Sequence, residues 1–246
     1  VKQSGAQAVE LSIALPAYEE AANLAVLLPQ LKGVLEGLGV RHEILVVDTE
    51  QPRDATPQVC AEHGVRYLPR TGGSLYSDAV RTAIRASTGR WVIFMDADGS
   101  HSPSFVTNLW AEREAADVII ASRYIAGGKT ENPAVLILLS LAVNVVFRVV
   151  LGLDCSDVSN SFRLYRGDDL RALTLECQNF DIVEEMLVKL CFTGQGRTVK
   201  EIPFTFEQRK AGKTKRDLVS FATSYLTTLG RLYRMKRQAR REESSR

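Results

Sequence analysis

An α/β fold with a doubly wound, mostly parallel sheet is predicted by two features of the first half of the chain. Short β-rich runs alternate with helical patterns, and the strongest of those runs are apolar on both faces. Glu10–Leu15, Glu43–Asp48, Val65–Pro69, Trp91–Met95 and Asp117–Ala121 read as strands. Helices are expected over Glu20–Gly37, Thr56–His63, Ser77–Ser87 and Pro103–Ala116. Continuous apolar stretches such as Ile44-Leu45-Val46-Val47 and Val92-Ile93-Phe94-Met95 suit a sheet covered on both sides. Ligands of such sheets bind in the crevice at the carboxyl ends of the strands. Pro16, Asp48 and Asp96 follow the last apolar residues of three strands and are expected to face that crevice.

The 246 residues suffice for one large domain with a substantial core. Neither a Gly-x-Gly-x-x-Gly nor a Gly-x-x-x-x-Gly-Lys-Ser/Thr loop occurs, which argues against dinucleotide oxidoreductases and P-loop NTPases. Cys60, Cys155, Cys177 and Cys191 form no Cys-x-x-Cys pair and no histidine cluster accompanies them, so they read as reduced thiols, as in the cytosol. No series resembling a secretory signal opens the chain. The net charge of +2 conceals an asymmetry: from Arg197 onward there are 14 Lys/Arg against 5 Asp/Glu, and before it 17 against 24. A basic end on an acidic body suits an anionic partner.

Two later segments have helical patterning. Within the apolar run Ala134–Leu153, Ser140, Asn144 and Arg148 recur every four residues and form one polar stripe. The expectation is a helix in a membrane interface, or one laid over the active site with its stripe inward. Asp217–Arg237 places Leu218, Phe221, Ala222, Tyr225, Leu229 and Leu232 on one face. Arg231, Arg234, Lys236, Arg237, Arg240 and Arg241 lie at its end or just beyond, as suits an anionic membrane surface.

The sharpest chemical signal is Asp96-Ala97-Asp98-Gly99-Ser100-His101-Ser102-Pro103, two carboxylates one residue apart after a buried strand and before a proline-initiated helix. Hard divalent cations take oxygen ligands, and Mg²⁺ commonly needs only one or two carboxylates, completing its shell with water and substrate phosphates. Near the other end, Arg209 and Gly212-Lys213-Thr214-Lys215 bring cations together as an anion clamp.

This order of features resembles the family-2 glycosyltransferases of the GT-A (Rossmann-like) type, and within them the polyprenol-phosphate (dolichol-phosphate) mannose synthases. The resemblance runs from Leu11 to about Arg234. It is carried by Leu15-Pro16-Ala17-Tyr18-Glu19-Glu20, Val46-Val47-Asp48, Asp96-Ala97-Asp98, Ala121-Ser122-Arg123-Tyr124, Ser161-Phe162-Arg163-Leu164-Tyr165 and Glu201-Ile202-Pro203-Phe204 followed by Arg209 and Lys215. It implies a single GT-A domain over residues 1–237, with a donor half at about 10–125, an acceptor and membrane-facing half with amphipathic interfacial helices at 126–237, and a basic flexible tail at 238–246. The implied activity is inverting transfer of a sugar, mannose or glucose, from a GDP- or UDP-linked donor to a polyprenyl phosphate. Because that acceptor is already ionised, no general base is needed. A family-2 transferase with a different acceptor and a weakened nucleotide-sugar-binding protein are the competing readings.

The resemblance also assigns residues. Pro16, Tyr18, Glu19, Asp48, Asp96, Ala97, Arg209 and Lys215 would bind the nucleotide, and Asp96, Asp98 and Ser100 would hold Mg²⁺ or Mn²⁺. Asp98, Arg123, Ser140 and Arg209 would carry the transfer, and Glu185 matches a family glutamate. The partners implied are the nucleotide-sugar, the lipid phosphate and an anionic membrane, with no nucleic acid and no protein partner, and the location is the cytoplasmic face as a peripheral protein. Two departures stand out: Asp48-Thr49-Glu50-Gln51-Pro52-Arg53-Asp54 lacks the family's second Asp and its Gly, and Leu136 stands where an Arg is typical, one turn before Ser140.

Overall fold

The computed structural model describes residues 8–192, 196–207 and 218–243. The apolar runs form strands β1 (Leu11–Pro16), β2 (His42–Asp48), β3 (Arg66–Pro69), β4 (Trp91–Phe94) and β5 (Val118–Ser122). Between them lie helices α1 (Ala21–Leu38), α2 (Thr56–Glu62), α3 (Tyr76–Ala86) and α4 (Val106–Ala111), the last preceded by a 3-10 turn at Pro103–Phe105. The helix expected to reach Ala116 stops at Ala111 because the Trp110 carbonyl is taken by Arg113, through its backbone N–H at 3.3 Å and its guanidinium at 2.8 Å.

The second half adds β6 (Lys129–Thr130), α5 (Ala134–Leu151), β7 (Arg163–Arg166), α6 (Gly167–Arg171), α7 (Ile182–Phe192), β8 (Val199–Pro203), β9 (Thr205–Phe206) and α8 (Leu218–Glu243). Seven strands make one sheet in the order β3-β2-β1-β4-β7-β5-β8. Only β7 runs antiparallel to its neighbours, so the sheet is mostly parallel, as expected. Alternate residues of each strand face opposite sides. Leu11, Ile13 and Leu15 pack with α1, α2 and α4, while Ala14, Val47, Val92 and Phe94 pack with α3 and the C-terminal helices.

Helix α5 inverts the usual soluble pattern. Its inward side buries Asn144, Phe147 and Leu151, and its outward side leaves Val135, Leu138, Val145 and Val149 56–73% exposed. Its polar stripe divides accordingly: Ser140 and Asn144 face the body, whereas Arg148 is exposed. Gly152 ends the helix at φ +60°, and the Leu151 carbonyl is capped by the Lys236 ammonium from α8. A cation there also suits the negative end of the helix dipole.

Helix α8 continues to Glu243, past the Arg237 end read from the sequence and into the segment expected to be a flexible tail. Among the described residues its apolar face packs inward in part. Tyr225 and Leu232 are buried against the body, with Tyr225 edge-on to Phe147 at 5.9 Å. Two of its cations also turn inward, Lys236 to α5 and Arg231 to Glu176 and Glu185. Arg234, Arg237 and Arg241 remain exposed.

Glu43 fastens three strands at the amino end of the sheet. Its carboxylate accepts hydrogen bonds from Ser12 Oγ at 2.6 Å, Thr88 N at 2.7 Å and Thr88 Oγ1 at 2.8 Å, and it pairs with Arg66 at 3.4 Å. Gly89 belongs to the same junction, since a Cβ there would lie 2.6 Å from Ser12 N. Burial alone would raise the Glu43 carboxyl, but the hydrogen bonds from Ser12 and Thr88 and the charge of Arg66 outweigh it and hold the group below its ordinary value. With a depressed folded-state value, the ionised form stabilises the fold above the unfolded-state value of about 4.3, and that contribution is lost as pH falls through the folded value. Glu43→Gln is expected to lower the urea-unfolding free energy by about 1–2 kcal/mol at pH 7. The gap to the native protein should close as pH drops below the carboxylate range, and a gap independent of pH would contradict this account.

Candidate active site

The site forms where β1, β2 and β4 end at one edge of the sheet, with the loop before β7 reaching over from the other half. After β4 the chain turns through Asp96-Ala97-Asp98, and Gly99 adopts φ +83°, a left-handed conformation that favours glycine. Ser100 turns back on Asp98, whose Oδ1 accepts the Ser100 N–H at 3.0 Å and the Ser100 hydroxyl at 2.5 Å. Ser100, which the resemblance names as a further metal ligand, thus also orients the Asp98 carboxylate, while Ala97 is buried beneath the turn. Asp96 is held from two sides. Its backbone N–H donates to His101 Nδ1 at 2.9 Å, and its Oδ1 accepts the Ser161 hydroxyl at 3.0 Å.

His101 is fully buried, stacked on Phe162 at 4.6 Å and edge-on to Phe204 and Phe206. Because Nδ1 accepts from the backbone, the ring proton resides on Nε2, which faces Asp96 Oδ2 at 3.8 Å. Burial pushes the imidazole below its ordinary value, so it stays neutral. Sequence reasoning passed over His101 because a lone histidine after an Asp-x-Asp gives no signal of a tautomer fixed by the main chain.

On the nucleotide side the expected residues gather, but not alike. Pro16 is half-buried at the end of β1, and Glu19 is exposed with φ +55°, a strained value for a non-glycine residue and a common mark of functional loops. Tyr18 accepts a hydrogen bond from Arg53 at 2.7 Å, and that guanidinium lies 5.3 Å from the ring centroid. The loop that departs from the family therefore contributes a cation. Asp48 is only 1% exposed, with long hydrogen bonds from Tyr67 at 3.4 Å and Thr49 at 3.5 Å, and burial raises its carboxyl. Arg70, also buried, donates to the carbonyls of Ala17, Asp48, Ser74 and Leu75, drawing together the loops that follow β1, β2 and β3.

On the other side Arg123, at the end of β5, is 8% exposed. Asp157 grips it through Oδ2, which accepts Arg123 N at 2.9 Å and Nε at 2.8 Å, and through Oδ1, which accepts Nη2 at 2.7 Å. The second N–H of Nη2 points between Ser159 Oγ at 2.9 Å and Ser140 Oγ at 3.3 Å. Ser140 is thus brought to Arg123, as the resemblance implied, while Asp157, Ser159 and Ser161 were not anticipated. Phe206 touches both groups, 5.5 Å from the His101 ring and 5.6 Å from the Arg123 guanidinium. Arg209 and Lys215 lie outside the described residues. Glu185 is elsewhere: fully buried on α7, it accepts the N–H groups of Glu176 and Cys177 and pairs with Lys189 and Arg231.

The donor chemistry fits a hard divalent cation. Two oriented, half-exposed carboxylates at a strand end suit Mg²⁺ or Mn²⁺, and no group of three His, Cys, Asp or Glu ligands occurs among the described residues to suggest a closed structural centre.

Comparison with known proteins agrees. Residues 12–174 match the family model for glycosyl transferase family 2. A dolichol-phosphate mannosyltransferase of Pyrococcus furiosus is 31% identical over 214 residues, covering 84% of this chain and 59% of the relative, so the chain spans well under two thirds of that protein. An undecaprenyl-phosphate mannosyltransferase of Micrococcus luteus is 30% identical over 212 residues, covering 82% of this chain and 85% of the relative. Among solved structures, glucosyl-3-phosphoglycerate synthase from Mycobacterium tuberculosis with Mn²⁺ and UDP-glucose superposes with TM-score 0.67 at 17% identity over 90% of this chain and 77% of that one. The same enzyme with Mg²⁺ and UDP gives TM-score 0.65 at 18% identity, over 88% and 75%. This likeness shows the GT-A fold expected from the sequence. With two thirds of its length matched by the family model, the chain belongs to glycosyl transferase family 2.

Proposed function

We propose that the protein transfers mannose from a nucleoside-diphosphate donor to a polyprenyl phosphate at a membrane surface, with inversion at the anomeric carbon. The observation that carries this reading is the pairing of the Asp96-Ala97-Asp98 turn with a donor-rich Arg123, Ser140 and Ser159 cluster on the other side of one crevice. Both named relatives are polyprenyl-phosphate mannosyltransferases, which supports the same acceptor and sugar here. In this reading Pro16, Tyr18, Glu19 and Asp48 hold the nucleoside. Asp96 and Asp98 hold Mg²⁺ or Mn²⁺, which when bound would neutralise charge on the leaving diphosphate. Arg209 and Lys215 add cations to that diphosphate, a reading supported by Glu207, two residues before Arg209, which donates its N–H to Ser100 O at 3.1 Å.

In this reading the carboxylates near the reacting centre have other tasks, Asp96 and Asp98 on the metal and Asp157 on Arg123. That favours an acceptor that arrives ionised over an alcohol that must lose a proton. With a GDP- or UDP-linked mannose and Mg²⁺, a short polyprenyl phosphate is expected to stimulate nucleoside diphosphate release and to yield a mannosylated lipid phosphate. Asp98→Ala should reduce that rate by at least about a hundredfold while preserving the fold. Release that polyprenyl phosphate never stimulates would refute the acceptor, and undiminished transfer by Asp98→Ala would refute the metal role.

The exposed side of α5 supports a peripheral position on the cytoplasmic face of the membrane. At 18 residues α5 is long and apolar enough to cross a bilayer, yet Phe147 and Leu151 pack into the body and Ser140 reaches Arg123 along the same side, which favours lying in the interface. Exposed Arg148, Arg234, Arg237 and Arg241 would meet anionic headgroups, each worth about 1 kcal/mol. Binding to vesicles containing anionic lipid is expected, weakened by high salt and further by Val149→Asp. Equal partitioning of the native protein and Val149→Asp would contradict the placement of α5.

A further inference from the structure

We propose that His101 is a positioning residue for the cation site, holding both the backbone and the carboxylate of Asp96 in place and keying them to the elements that reach the crevice from the second half of the chain. The inference rests on the metal reading given above and deepens it.

Three elements meet on the His101 ring, which is 0% exposed. From the metal turn, the Asp96 N–H donates to Nδ1 at 2.9 Å. From the loop before β7, Phe162 lies flat against the imidazole, with the ring planes 11° apart. From the end of β8 and from β9, Phe204 and Phe206 meet it edge-on at 5.9 and 5.5 Å. Phe206 carries the contact on to the Arg123 guanidinium, 5.6 Å away.

Packing by itself does not call for a histidine here. Phe105, Phe162 and Phe204 already build an aromatic cluster, and a phenylalanine ring would fill much the same space. The turn, however, has a polar need. Met95 N–H still reaches Ala14 O on β1 at 3.0 Å, but the pairing of β4 with β7 stops at Phe94 and Arg163, so the Asp96 N–H has no strand to donate to. Gly99 at φ +83° brings the chain back, and His101 Nδ1 becomes the acceptor. The same bond leaves the ring proton on Nε2, which faces Asp96 Oδ2 at 3.8 Å, while the Ser161 hydroxyl donates to Oδ1 at 3.0 Å. Asp96 is thus flanked by two neutral groups. A lysine or arginine in that place would offset the charge a cation needs, whereas a neutral imidazole orients the carboxylate and leaves its charge available.

The test measures Mn²⁺ binding to the full chain by electron paramagnetic resonance, with whichever of GDP or UDP it binds. His101→Phe is expected to weaken Mn²⁺ affinity about 10-fold or more, the usual scale for loss of a group that orients a metal ligand. His101→Asn, whose side-chain oxygen can take the place of Nδ1, should recover most of that loss. Affinity for the nucleoside diphosphate without metal should not change in either variant. In long-range ¹⁵N–¹H spectra of the metal-free native protein, His101 should show the Nε2–H tautomer, a readout that holds whether or not a variant folds. An Nδ1–H tautomer would overturn the proposal, as would equal Mn²⁺ affinity in His101→Phe and the native protein, or His101→Asn binding no better than His101→Phe. A parallel fall in metal-free nucleoside diphosphate affinity would mark a merely structural role and overturn it too. If His101→Phe weakens Mn²⁺ binding but the native protein forms no mannosylated lipid, the positioning role stands and the transfer reading fails. Absence of Mn²⁺ binding by the native protein overturns both this role and the metal reading.

Discussion

Glu201 reaches from β8 to the end of β5 and to the loop before β7, and its carboxylate accepts hydrogen bonds from Ser122 Oγ at 2.6 Å, Ser156 N at 2.7 Å and Asp157 N at 2.9 Å. The side of the crevice proposed to take the acceptor depends on this junction. With its N–H tied to Glu201, Asp157 is set to hold Arg123, and Arg123 in turn orders Ser140 and Ser159. A buried arginine without its carboxylate would be left as an uncompensated charge, which typically costs about 3–5 kcal/mol. Arg123 therefore keeps one geometry, and positioned donors favour reaction because they need no reorganisation as it proceeds.

The donor side is organised by the opposite device. Arg70 has no carboxylate in its bonds and gathers four carbonyl oxygens from the loops after β1, β2 and β3. Between these two fixed walls lies the Asp96-Ala97-Asp98 turn, supported below by the His101, Phe162 and Phe204 stack. The same crevice thus has one wall drawn together by Arg70 through main-chain carbonyls and one fixed by Asp157 through Arg123. Above the latter, α5 turns its apolar face outward, as suits an acceptor that arrives from a lipid phase.

Much of the donor half was legible in the sequence, because strands buried on both faces leave unbroken apolar runs and Asp96 and Asp98 follow one of them directly. The strands β7 and β8 were not, since Arg163, Arg166, Lys200 and Glu201 interrupt any apolar pattern. Arg163 can occupy a fully buried strand position only because Val158 O and Val183 O accept its hydrogen bonds at 2.7 and 3.1 Å. The acceptor cluster was half legible: Arg123 and Ser140 came from the resemblance, but Asp157, Ser159 and Glu201 act through pairings 34, 36 and 79 residues apart that no local pattern reveals. Helix α8 was read as amphipathic, but which neighbour meets its apolar face is a tertiary fact, and the body takes Tyr225 and Leu232.

The central claim is that the nucleophile carries its own charge, so that no protein carboxylate has to accept a proton. The most direct measurement is the pH dependence of kcat/KM for the acceptor, compared between a polyprenyl phosphate and an analogue whose phosphorus group ionises at a different pH. A phosphate monoester loses its second proton near pH 6, at roughly that of a phosphorylated side chain. The acid limb of the profile is predicted to follow the acceptor's ionisation, moving when the analogue replaces the phosphate. A limb that stays in place when the acceptor changes would show a protein group titrating as the base and would contradict the account.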